Sequence, residues 1–276
     1  MNVSEGVYIV DTTLRDGEQT AGKVFSLQEK IKIAKYLDMN GIYQIECGIP
    51  AMGEIEKECI KKIISQTNSS LISTWNRLNI DDVMHSIDCN PDIIHISIPT
   101  SDLQIYSNLH KDKEWIKENV KRCLCLSRDN GYEATIGFED ASRADIKYLI
   151  ELCNLVEDLG VKRVRYADTV GILSISKTKQ VISELRKNSN VDIEIHSHND
   201  FGMALAIAIE SVKNGVRYVD CTLDGIGERS GNCNLQEFLR IGFEFPEEVK
   251  IDKMNLIKSC LLYTSPSPRD YAAARM

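Results

Sequence analysis

The feature that most constrains this chain is an eightfold alternation of short apolar strands with amphipathic helices. Strand-like runs occupy 7–14, 43–48, 71–75, 93–98, 133–138, 163–168, 192–198 and 218–223. Helical patterns follow them at 27–39, 55–65, 80–86, 113–129, 143–159, 176–187, 202–214 and 235–243. Strands that alternate with helices imply a parallel sheet, because a parallel neighbour is reached only by a long crossover, which the helix supplies. Eight such units in about 240 residues suit a closed barrel better than an open sheet, so the expected fold is α/β, a (β/α)8 TIM barrel. Gly41, Gly131, Gly160 and Gly215 stand where a helical pattern stops and a strand begins, the place for a helix-ending glycine. The expected division is one catalytic barrel over 1–258 and a tail over 259–276. In that tail, Ser-Pro repeats disfavour helix and strand, and the chain reads as non-native or disordered sequence.

Composition narrows the partners. Of 276 residues, 43% are hydrophobic, enough for a sizeable core. A formal net charge of −8 argues against nucleic acid and anionic membrane as partners. No apolar run approaches the roughly 18–20 residues of a membrane span, and the first residues lack a basic stretch followed by an apolar one. Nine cysteines without a C-x-x-C pair argue against a disulfide framework and for a reducing, cytoplasmic setting. Cys233 stands apart from the others only because it lies in the polar loop Gly231-Asn232-Cys233-Asn234.

In such barrels the chemistry sits at the C-terminal ends of the strands. After strand 1 comes Asp11-Thr12-Thr13-Leu14-Arg15-Asp16-Gly17-Glu18-Gln19, where Arg15 offers a planar donor fork and Asp16 a hard carboxylate. Those two residues also suit a structural ion pair with a helix cap. In strand 7, alternation puts Glu194, His196 and His198 on one face and Ile193 and Ile195 on the other. After strand 8 comes the glycine-rich Asp224-Gly225-Ile226-Gly227-Glu228-Arg229-Ser230-Gly231-Asn232. Barrel closure makes strands 7, 8 and 1 neighbours, so Asp16, His196, His198 and Asn232 converge. An O,N,N,O donor set leaves positions open on an octahedral divalent ion, which can polarise a 2-oxo acid as a Lewis acid. Mg²⁺, Mn²⁺ and Zn²⁺ are all compatible, and two histidines with one carboxylate also suit non-haem iron.

The motifs D-T-T-L-R-D-G-E-Q, H-S-H-N-D and G-I-G-E-R-S-G-N resemble those of the family that contains homocitrate synthase, 2-isopropylmalate synthase, citramalate synthase and hydroxymethylglutaryl-CoA lyase. The resemblance implies a metal held by Asp16, His196 and His198, with Asn232 at or near it. It implies that Arg15 stabilises the enolate oxygen of acetyl-CoA, and that Glu46 and Glu194 are buried catalytic carboxylates. Gln19, Glu139 and Thr169 would contact the substrate. The stretch I-G-F-E-D-A-S-R is similar to that of nitrogenase-associated homocitrate synthases, with Thr135 and Gly137 where lysine-pathway enzymes carry Arg and Ser. The implied reaction is condensation of acetyl-CoA with 2-oxoglutarate to (R)-homocitrate, with 2-isopropylmalate or citramalate synthesis as the alternative. An aldol-cleaving lyase uses a similar metal set. Arg77 and Arg165 are candidate partners for the distal carboxylate. Synthases of this family extend beyond the barrel, which implies a homodimer or a heteromer with a C-terminal partner chain. It also raises the alternative of a barrel subunit inactive on its own.

Overall fold

Eight parallel strands close in chain order: β1 (Tyr8–Asp11), β2 (Gln44–Glu46), β3 (Leu71–Arg77), β4 (Ile93–Pro99), β5 (Glu133–Glu139), β6 (Arg163–Asp168), β7 (Asp192–Ser197) and β8 (Tyr218–Cys221). The structure, a computed structural model, describes residues 6–245, so the tail expected at 259–276 and the end of the 1–258 barrel lie outside the described residues. β1 closes the ring by pairing on both edges, Val10 with Gln44 of β2 and with Asp220 of β8. The helices are α1 (Leu27–Met39), α2 (Glu54–Ile64), α3 (Ile80–Ile87), α4 (Lys113–Asp129), α5 (Ile146–Asp158), α6 (Ile175–Asn188), α7 (Ala204–Lys213) and α8 (Leu235–Leu239). The expected barrel is the observed one. Among the described residues, no helix is long and apolar enough to cross a membrane.

Local chemistry explains where the elements begin and end. Ser26 and Glu29 form a reciprocal capping box at the start of α1. Asp145 accepts from the Lys147 amide and starts α5 three residues later than the pattern suggests, the preceding Ala141–Arg143 being a separate 3₁₀ turn. Strand 1 stops at Asp11 rather than at 14, because the Asp11 carboxylate accepts from the Thr13 amide at 2.9 Å and its hydroxyl at 3.0 Å. That Asx-type turn bends the chain over the barrel mouth. Strand 8 likewise ends at Cys221, and the last helix at Leu239. A π-helical turn at Leu103–Asn108, which the sequence pattern does not show, follows β4.

The two faces of the strands do different work. Outward side chains such as Ile45, Ile96, Ile136, Val164 and Ile195 are fully buried in the layer beneath the helices. The inward face is polar, in contrast to the apolar layers usual in this architecture. Gln44, Glu46, His95, Thr135, Arg163, Arg165, Glu194 and Asp220 are all buried there. Arg163 donates to Gln44, and Arg165 donates twice to Glu46, at 2.7 and 3.2 Å, so three hydrogen bonds cross the barrel from β6 to β2. At the N-terminal mouth, Tyr8, Tyr43 and Tyr218 cluster, with the Arg163 guanidinium 4.4 Å from the Tyr218 ring centroid.

Gly137 shows how tightly this interior is filled. A Cβ at that position would lie 2.5 Å from His95 Nε2, and His95 Nδ1 is tied to Thr135 Oγ1 at 2.8 Å. Gly137→Ala should therefore destabilise the fold by about 1–3 kcal/mol through overpacking. Thermal melts should show this as a lower Tm, by roughly 2–4 °C per kcal/mol. An unchanged Tm would mean that the His95 ring moves aside freely.

Candidate active site

Above the polar interior, the loops after β1, β7 and β8 meet. The Thr12 amide donates to Cys221 O at 3.0 Å, which carries the β1–β8 seam one residue past the strand and delivers Arg15 and Asp16 to the mouth. His196, near the end of β7, and His198, just beyond it, both turn inward, as their alternation with Ile195 requires. His198 forms an antiparallel bridge with Asn232, and the Asn199 amide donates to Gly231 O at 2.8 Å, so the loops after β7 and β8 are locked together.

The result is a compact donor group. The ligand atoms of Asp16, His196 and His198 lie within 4.8 Å of one another. The two imidazole Nε2 atoms are 3.2 Å apart, and Asp16 Oδ2 is 3.4 Å from that of His196 and 3.9 Å from that of His198. Three lone-pair donors this close repel one another unless a proton or a cation lies among them, so the set fits a divalent ion. Asn232 donates through Nδ2 to Asp16 Oδ1 and to Ile226 O, both at 3.0 Å, while its buried Oδ1 has no partner. Asp220 Oδ2 lies 2.9 Å from the other nitrogen of His196.

Arg15 stands beside this group. Its Nε donates to Glu46 at 2.6 Å and its Nη1 to Asp16 at 3.0 Å, and its guanidinium carbon lies 5.8 Å from the Trp75 ring centroid. Its Nη2 has no protein partner among the described residues. Charge sets the protonation states here. Burial alone would raise Asp16, but Arg15 and His196 hold it well below the usual carboxylate range. Burial opposes charge on His196, yet Asp220 and Asp16 push it up to about 9. His198 is pushed down to about 4 by burial and by the neighbouring His196. His95 is held well below its usual value by burial and then by Arg165, and burial raises Glu139.

One cavity of about 210 Å³ gathers most of the residues expected from the sequence: Arg15, Asp16, Gln19, Glu139, Thr169, His196 and His198 line it. Glu139 accepts from Gln104 at 2.5 Å, and Thr169 Oγ1 accepts from the Asp140 amide at 2.9 Å. Glu46 and Glu194 do not line it. They lie fully buried beneath it, where both bind Arg165. Asn232 is also outside the lining, against Asp16. The two arginines left open divide: Arg165 lies in the cavity floor but is held by Glu46 and Glu194, whereas Arg77 is an exposed partner of Asp82 at 2.8 Å and does not reach this cavity. Cys233 is fully buried and takes no part in the lining. Trp75, His95, Ser97 and Glu228 also line the cavity, and sequence reasoning passed over them. The signal for His95 and Ser97 was present, since they alternate with Ile94, Ile96 and Ile98 along β4.

Comparison with other proteins agrees with this geometry. The HMGL-like family model matches residues 6–255. The chain is 49% identical over 236 residues to homocitrate synthase subunit alpha of Clostridium pasteurianum, covering 86% of this chain and 88% of that one. It is 45% identical over 231 residues to 2-isopropylmalate synthase 2 of Caldanaerobacter subterraneus subsp. tengcongensis, covering 84% of this chain and only 60% of that one. Among solved structures, hydroxymethylglutaryl-CoA lyase from Pseudomonas aeruginosa superposes with a TM-score of 0.81 at 16% identity, covering 100% of this chain and 99% of that one, which shows a shared fold. By the family match over the whole described barrel and the identity to these relatives, the chain is an enzyme of the HMGL-like family.

Proposed function

We propose that this chain carries the condensation of acetyl-CoA and 2-oxoglutarate with water to (R)-homocitrate and CoA, as one subunit working with a second polypeptide. The observation that carries this reading is the meeting, on one small cavity, of Arg15 with the donor group Asp16, His196 and His198. A 2-oxo acid needs a chelating centre and a thioester enolate needs a fixed cation, and here the two lie side by side. The likeness to the Clostridium subunit supports 2-oxoglutarate as the acceptor and a divided enzyme. The likeness to the 2-isopropylmalate synthase supports the same chemistry on another 2-oxo acid.

Asp16, His196 and His198 would hold a divalent ion, which would supply Lewis-acid polarisation of a keto group, and Mg²⁺, Mn²⁺ and Zn²⁺ all suit these donors. Asn232 orients Asp16 through its Nδ2 and leaves its Oδ1 as a further donor. Arg15 has two nitrogens committed to Glu46 and Asp16, so its fork is fixed, and its free Nη2 meets the thioester oxygen as negative charge develops there. Glu46 and Glu194 act from below by holding Arg15 and Arg165 in place. Gln19, Thr169 and Glu139 line the same cavity and would orient the 2-oxo acid in it.

The reading is tested by thiol release over a panel of 2-oxo acids, with and without the candidate partner chain. Turnover should be fastest with 2-oxoglutarate and should need both chains. Faster turnover with 2-oxoisovalerate or pyruvate would replace the homocitrate assignment with that of a sister enzyme.

Arg15 and Asp16 are adjacent but should separate kinetically. Asp16→Ala should weaken ion binding and, through it, 2-oxo acid binding. Arg15→Ala should leave both affinities largely intact while cutting turnover by about 10²–10³-fold, the usual loss for one donor to an oxyanion. Arg15→Lys should not restore full turnover, because an ammonium lacks the planar fork. If Arg15→Ala abolishes 2-oxo acid binding but spares turnover of bound substrate, Arg15 is a substrate anchor instead.

A further inference from the structure

Asp220 was not among the residues that the motifs brought forward, and it does not line the cavity. It lies on β8 in register with Val10 of β1 and is 1% exposed. Three groups from three other elements converge on its carboxylate. The Thr12 hydroxyl donates to Oδ1 at 2.6 Å, His196 Nδ1 lies 2.9 Å from Oδ2, and Arg165 Nε lies 3.5 Å from Oδ2. A carboxylate buried at such a position needs partners, because desolvation disfavours an unpaired charge.

We propose that Asp220 is a positioning residue that makes His196 a metal ligand, by holding the ring proton on Nδ1 so that Nε2 presents its lone pair to the ion. This rests on the metal reading of Asp16, His196 and His198 given above. A neutral imidazole carries one ring proton, and the nitrogen that keeps it is the one with an acceptor opposite. A carboxylate oxygen 2.9 Å away favours the ring proton on the nitrogen that faces it, here Nδ1. The remaining nitrogen, Nε2, points at Asp16 and His198, the atoms of the donor group. The carboxylate also makes that nitrogen a stronger donor, as outer carboxylates do for metal-bound histidines elsewhere.

His196 Nδ1 and His198 Nδ1 are both buried without an aligned hydrogen bond, but among the described residues it is His196 Nδ1 that has a carboxylate oxygen close by, Asp220 Oδ2 at 2.9 Å. Thr12 and Arg165 hold the Asp220 carboxylate, one by a hydroxyl and one by charge, so the ligand geometry is tied to both the β1 turn and the charged barrel floor.

The test uses the full chain and metal alone. Calorimetric titration with Mn²⁺ compares wild type with Asp220→Asn and Asp220→Ala, with folding checked by circular dichroism. Nitrogen-15 spectra of the imidazoles, five in all, read the His196 tautomer in the Mg²⁺-loaded protein. Wild type should bind one ion with the His196 proton on Nδ1. Asp220→Asn should bind about 10–100-fold more weakly, and Asp220→Ala at least as weakly. An Asn variant that binds as tightly as wild type, or a wild-type His196 protonated on Nε2, would overturn the role of Asp220 while leaving the metal site standing. Wild type that binds no ion would overturn the metal reading itself. If a variant fails to fold, the wild-type tautomer alone decides.

Discussion

A guanidinium sealed inside the barrel organises this protein. Arg165 is 2% exposed and binds Glu46 through Nη2 at 2.7 Å and Glu194 through Nε, with Asp220 3.5 Å from Nε. A charge in that position is tolerable only with partners in good geometry, and losing one partner of such a set typically costs about 3–5 kcal/mol. Each of those partners in turn reaches upward or sideways: Glu46 holds Arg15, Glu194 meets Arg163 at 3.3 Å, and Asp220 meets His196. The residues at the mouth are thus the top tier of a charge lattice whose foundation is below the cavity.

The sign of that lattice matters. Arg15, Arg163 and Arg165 face Asp16, Glu46, Glu194 and Asp220, three cations against four anions, all buried or nearly so. One negative charge is left unmatched at the top. Without an ion, the protein meets it by protonating His196, which Asp220 and Asp16 push up to about 9 in spite of burial. A divalent cation among Asp16, His196 and His198 would answer the same excess and displace that proton. The same charges keep the pocket selective in shape: His95, neutral because burial and Arg165 disfavour its charged form, fills the room that a side chain at Gly137 would take.

Much of this was legible in the residues. The eight strand–helix units, and the inward set Glu194, His196, His198 alternating with Ile193 and Ile195, follow from side-chain period alone. Barrel closure then brings β7, β8 and β1 together, and Asp16 with them. What escaped is what period cannot show. β8 contributes only Tyr218–Cys221 to the sheet, too short for Asp220 to stand out as one face of an alternation. Arg77 and Arg165 look alike in sequence, yet one pairs with Asp82 outside and the other lies in the floor, a difference set by which carboxylates the fold brings near. Glu46 and Glu194 were expected as buried catalytic carboxylates, and they lie buried beneath the cavity lining on Arg165, a depth that sequence distance along a strand does not give. His95 and Ser97 carried a readable alternation, masked by a β4 buried along almost its whole length.

The central claim is that the excess negative charge at the barrel mouth is there to hold one divalent ion. Anomalous diffraction at the manganese edge, from crystals of the full chain grown with Mn²⁺, tests it most directly. The account predicts a single strong peak bonded to His196 Nε2, His198 Nε2 and an Asp16 carboxylate oxygen. Crystals that bind manganese only elsewhere, with Asp16, His196 and His198 still hydrogen-bonded to one another, would contradict it.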